Sequence, residues 1–161
     1  MNMRAQLFSA IAVGAAAFCA TPAISDEGTV AAKVTSTGTP LQTIPVGKSG
    51  GRAFIEEEKG TIERGGDTHP WRCVWTTLET PSFVWDSRGY CIEADQDGDQ
   101  IVLKTTSKGS GSAGSGAGEV VMGAGKYAGI TGKITLTCQF AGGINYTANC
   151  DAQVSYKMSS K

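Results

Sequence analysis

The chemistry this chain could support starts with its acids. Asp95, Asp97 and Asp99 alternate around Gly98, which invites a calcium loop. Such a loop needs its glycine at the sixth place and a bidentate glutamate at the twelfth, whereas here the glycine is fourth and Thr106 is twelfth. A β-turn explains these residues better. Glu56, Glu57 and Glu58 run together before Lys59 and could hold a cation, but a run of like charge reads first as a solvated turn or strand edge. His69 is the only histidine, so no histidine cluster can bind zinc and a hydrolytic triad would have to use His69 as its base. Standing before Pro70, it reads as structural. The glycines around Lys126 make neither a phosphate loop, since Tyr127 follows the lysine where Ser or Thr belongs, nor a dinucleotide fingerprint, since the next glycine is Gly129. No catalytic residue, metal set or cofactor site follows from these motifs.

The aromatic residues are the second resource. Trp71, Cys73 and Trp75 share one face of a strand at period two, and Trp85 follows closely. Large rings packed over a disulfide are the plain reading; an aromatic platform at a barrel mouth, able to stack a small apolar or aromatic ligand, is the functional one. Trp71, Trp75, Trp85 and Tyr127 are the candidate ligand-binding residues. Glu93, Asp95 and Tyr127 are the candidates for acid or base work if they point inward.

Cysteine usage bounds the compartment. An apolar run from Leu7 to Ala20 behind Arg4, then small residues before Asp26, reads as a signal peptide cleaved near Ser25; the run is too short to span a membrane. Cys19 leaves with it. The remaining Cys73, Cys91, Cys138 and Cys150 are even in number in an exported chain, which favours disulfides, and the pairing that joins near neighbours is Cys73 with Cys91 and Cys138 with Cys150. Residues 26–161 suffice for one domain. The whole chain carries a formal charge of −1, so no basic surface for nucleic acid is implied, and no second long apolar run suggests a membrane span in the mature chain.

The elements that must position these residues are strands. Ile134, Leu136, Cys138 and Phe140 alternate with polar residues, and after a Gly143-Ile144-Asn145 loop Ala148, Cys150, Ala152, Val154 and Tyr156 do the same. Setting Cys138 opposite Cys150 places both apolar sets on one face, with Asn145 able to take the left-handed conformation. Asp97-Gly98 predicts a two-residue turn that sets Ile92 against Leu103 and Ala94 against Ile101. That register puts Cys91 on the polar face, leaving either an outer bridge to Cys73 or a bulge near Gly89. A first strand lies around Val30 to Thr35 and a second begins at Arg52. The Gly/Ser-rich stretch 105–118 reads as a mobile loop. Twenty-two glycines and no sustained helical period complete an all-β reading of about eight strands, as a small barrel or a sandwich.

Gly125-Lys126-Tyr127-Ala128-Gly129-Ile130-Thr131-Gly132, following an Asp-Gly-Asp hairpin and preceding an alternating strand, resembles the glycine-tyrosine turn of bacterial exported proteins related to the allene oxide cyclase and dirigent barrels. The resemblance covers 90–156 and implies an eight-stranded antiparallel barrel with a central apolar cavity. It carries over no catalytic residue. The expected function is a non-catalytic exported barrel, periplasmic or secreted, that binds a small apolar or aromatic ligand or a protein partner. The alternatives are a cyclase or isomerase acting inside the barrel, and a secreted inhibitor of hydrolases.

Overall fold

The computed structural model describes residues 27–159; the expected signal peptide and cleavage near Ser25 fall outside them. The chain forms an eight-stranded antiparallel barrel in which each strand pairs with the next and the last closes on the first. The strands are β1 (Glu27–Val46), β2 (Gly51–Arg64), β3 (Asp67–Glu79), β4 (Val84–Ala94), β5 (Gln100–Ser110), β6 (Ala113–Gly123), β7 (Thr131–Gly142) and β8 (Tyr146–Lys157). A single 3₁₀ turn, Gly125–Tyr127, interrupts the β6 to β7 connection. Among the described residues no helix is long and apolar enough to cross a membrane.

Closure follows from the alternation. Along β1, Ala32, Val34 and Ser36 are buried while their neighbours face solvent, and every strand repeats the pattern. With eight strands the interior is wide enough for side chains and a small ligand. Because the meander turns back at each hairpin, the β1–β2, β3–β4, β5–β6 and β7–β8 turns gather at one end, the upper end here. The other connections and both described termini gather at the lower end.

The β7–β8 register agrees with the sequence reading: Cys138 opposes Cys150, Leu136 opposes Ala152 and Phe140 opposes Ala148. Both expected disulfides form, Cys73–Cys91 and Cys138–Cys150, each across adjacent strands. By loop-closure arithmetic each contributes about 3 kcal/mol, and both belong to an oxidising environment. In the β7–β8 loop the positive φ falls on Gly142 instead of Asn145.

Three expectations are corrected. Asp97-Gly98 is not a two-residue turn: Glu93 opposes Ile101 and Cys91 opposes Leu103, one step from the expected register. The Asp95 carboxylate accepts the backbone N–H groups of Asp97 (2.9 Å) and Asp99 (3.0 Å), which closes a longer loop. A one-residue slip turns a strand over, so Cys91 and Glu93 face the lumen and Ile92 faces out. The Cys73–Cys91 bridge is therefore internal, with neither an outer bridge nor a bulge. The second correction concerns 105–118, which is not a loop but most of β5 and β6, joined through Gly111 and Ser112. Backbone pairing requires no side chains, and the inward glycines make room: a Cβ on Gly114 would lie 2.6 Å from the Trp85 ring. The first strand is also longer than expected. β8 pairs with β1 only as far as Gly38, so residues beyond it pair with β2 alone as a ribbon above the barrel. Pro40 sits where that second partner ends and its missing N–H costs nothing.

Gly38 illustrates how tightly the wall is built. It faces Tyr146 across the β1–β8 pair, and a Cβ there would lie 2.1 Å from the phenol ring. Gly38→Ala must push that ring aside, and a loss of about 2 kcal/mol is expected on urea unfolding. A variant as stable as the parent would mean that Tyr146 is not held against this wall.

Candidate functional site

The lumen is divided into two cavities that share the Trp71 side chain as a wall. The upper one, about 480 Å³, is lined by Phe54, Trp75, Trp85, Leu136, Phe140 and Tyr146 among others. Its rings are ordered edge to face, Trp85 on Phe140 at 5.3 Å and Phe140 on Tyr146 at 5.5 Å. Such a volume accommodates one small organic molecule.

Two glutamates stand inside this apolar space. Alternation along β2 turns Glu56 and Glu58 inward and Glu57 outward, where Glu57 pairs with Arg72 and with Lys59. Four donors converge on Glu58. Ser36 Oγ (2.7 Å) and Trp71 Nε1 (3.3 Å) donate to Oε1, while Trp75 Nε1 (3.0 Å) and the Tyr146 hydroxyl (3.3 Å) donate to Oε2. Those bonds occupy its oxygens and lock both indoles in place. Glu56 is different. Thr77 Oγ1 donates to its Oε1 at 2.9 Å and is itself backed by Ser87 Oγ at 2.7 Å, but Oε2 is buried and has no hydrogen-bond partner. Burial pushes the Glu56 carboxyl up to about 7; the nearby charges of Glu58 and Glu79 add to this, while the Thr77 bond and the adjacent Tyr146 hydroxyl, whose hydrogen bond goes to Glu58, oppose it. Burial, reinforced by the two glutamates, also holds the Tyr146 phenol protonated well above its ordinary range. At the mouth Arg52 pairs with Glu79, and Phe83 adopts a left-handed φ of 58°.

The lower cavity, about 380 Å³, has aliphatic walls that include Ile62, Leu103, Ile134 and Val154. Its polar groups meet at Glu93 Oε1, which lies 2.5 Å from His69 Nδ1 and accepts a 2.8 Å hydrogen bond from Arg64 Nε. Tyr127 also lines this cavity, and burial raises its phenol. Beside it Lys126 forms an ion pair with Asp95 at 2.6 Å, and that lysine's hydrogen bond holds the Asp95 carboxyl down at about 2.

The expected ligand-binding set thus splits: Trp71, Trp75 and Trp85 meet in the upper cavity, and Tyr127 stands at the opposite end. The acid and base candidates Glu93 and Tyr127 line the lower cavity, while Asp95 is committed to its turn and to Lys126. Glu56 and Glu58 correct the reading of their run as a solvated turn or strand edge. The signal for them was period two: Phe54, Glu56, Glu58, Gly60 and Ile62 occupy one face, and the apolar ends of that series place the acids between them inside. Comparison with known proteins finds no matching family model, no matching curated protein and no matching solved structure.

Proposed function

We propose that the protein is an exported, non-catalytic barrel, released by cleavage near Ser25 into the periplasm or beyond, that binds a small aromatic molecule carrying an amine. The observation that carries this reading is the unpartnered Oε2 of Glu56 inside an aromatic cavity. A buried acceptor without a donor costs free energy, and a ligand ammonium would remove that cost while its ring stacks among Trp75, Trp85 and Phe140. Glu58, with its oxygens already bonded, acts as the scaffold of the site.

The test is a titration with phenethylamine followed by tryptophan fluorescence. An ammonium favours ionised Glu56, and the carboxyl titrates at about 7, so affinity is expected to rise roughly tenfold between pH 6 and pH 8. Glu56→Gln should flatten that dependence. No saturable response at either pH, or an affinity that falls as pH rises, would contradict the reading.

An acid titrating near neutrality favours one second reading, a cyclase or isomerase in which Glu56 exchanges protons with its ligand. Deuterium uptake into carbon positions of a bound ligand, seen by mass spectrometry and abolished in Glu56→Gln, would select it. We also propose kinship with the allene oxide cyclase and dirigent barrels; the closed eight-stranded sheet with a lumen supports it, and no catalytic assignment comes with it.

A further inference from the structure

We propose that the lower cavity is a second binding site, selective for a small apolar carboxylic acid of the arylacetic type. This inference is independent of the amine site above. The lower cavity opens at the other end of the barrel, and its chemistry has the opposite sense.

Glu93 determines that sense. Arg64 Nε donates to its Oε1, and His69 Nδ1 lies 2.5 Å from the same oxygen; a carboxylate there accepts Nδ1–H, so in the neutral ring Nε2 is the acceptor. Nε2 has no hydrogen-bond partner among the described residues, and the ring lines the cavity. Arg64 Nη2 approaches the same glutamate oxygen at 2.7 Å but out of line for a hydrogen bond, so this buried donor has no acceptor. One open acceptor and one open cationic donor in an aliphatic chamber match the two oxygens of a carboxylic acid. The ligand enters as its carboxylate, and one proton is taken up from solvent at His69 Nε2. The carboxylate accepts hydrogen bonds from Nε2–H and Arg64 Nη2, and Glu93 faces the imidazolium charge.

The other charged and titratable groups lining this cavity do not oppose an anion. Arg64 offsets Glu93, Lys126 is paired with Asp95, and Lys133 and Asp67 are both exposed at the rim with opposite charges, with the Tyr127 and Tyr156 phenols completing the set. The upper cavity presents Glu56 and Glu58 to the same molecule and would repel it.

Because His69 is the only histidine, its imidazole gives one pair of ring nitrogen signals that reports this cavity alone. The experiment is a titration of the intact protein with phenylacetate, followed through the ¹⁵N resonances of that ring. The expected result is a saturable shift at or below about millimolar concentration, with Nε2 moving toward the protonated position. Phenethylamine, matched in size, should not reproduce it, and Arg64→Lys should weaken binding at least several-fold. An imidazole unmoved by phenylacetate, or moved equally by the amine, would overturn the proposal. The wild-type titration decides the matter even if the Arg64 variant fails to fold, and it does so whether or not the amine binds above.

Discussion

Replacing the acceptor at the centre of the upper cavity, Glu58→Ala, is expected to lower unfolding free energy in urea by about 4 kcal/mol or more. The reason lies in what it leaves behind. Ser36, Trp71, Trp75 and Tyr146 all donate to Glu58, and with the carboxylate gone each would face an apolar wall without an acceptor. Every such buried donor costs on the order of 1 to 3 kcal/mol, and even with partial relaxation four of them are a large share of the roughly 5 to 15 kcal/mol that holds a domain together. Glu58→Gln should cost less than Glu58→Ala, since one oxygen remains to accept two of the donors while its amide opposes one of the two indole N–H groups. If Glu58→Ala unfolded within 1 kcal/mol of the parent, the donors would not depend on this residue and the scaffold role would be wrong.

The second large effect has the opposite sign. Glu56 titrates at about 7 in the fold against an ordinary value of 4.5, so the fold prefers its protonated form. The stability linked to that preference is fully present below the ordinary value and is lost as pH rises through 7, a difference of about 3 kcal/mol. Glu56→Gln removes the ionisation while keeping an acceptor for Thr77. It is expected to stabilise the barrel at pH 8 by up to about 3 kcal/mol, and to leave it nearly unchanged at pH 4. Thermal melts of both proteins at the two pH values check this. Equal melting shifts at pH 4 and pH 8 would mean that the carboxyl does not titrate between them. A buried residue whose neutralisation stabilises its protein is the pattern expected where function is held against stability.

How much of this could be read from the chain differs between elements for physical reasons. β7 and β8 were legible because two signals coincided: strict alternation and a cysteine pair whose opposition fixes the register. The β4–β5 hairpin misled because Asp-Gly signals a turn but not its length. Asp95 caps two further N–H groups and lengthens the loop, which reverses the facing of Cys91, Glu93 and Ile92. Composition concealed β5 and β6, where glycine serves shape instead of flexibility: Gly109 and Gly114 exist to admit Trp85, a contact invisible until the strands are laid side by side. Glu56 and Glu58 were obscured by their own charge. Three adjacent acids look solvated, and only the strand period separates the outward Glu57 from its buried neighbours. Conflict between local pattern and burial is where function is to be sought, and here it falls on the residue with the unpartnered oxygen.

Proton release on ligand binding is the most direct examination of the upper site. Calorimetric titration of phenethylamine at pH 7 in two buffers of different ionisation enthalpy gives the number of protons exchanged. With Glu56 about half protonated in the free protein, roughly half a proton should be released per amine bound, and none in Glu56→Gln. Binding without any proton release from the parent protein, or with the same release from the variant, would show that the ammonium does not meet Glu56.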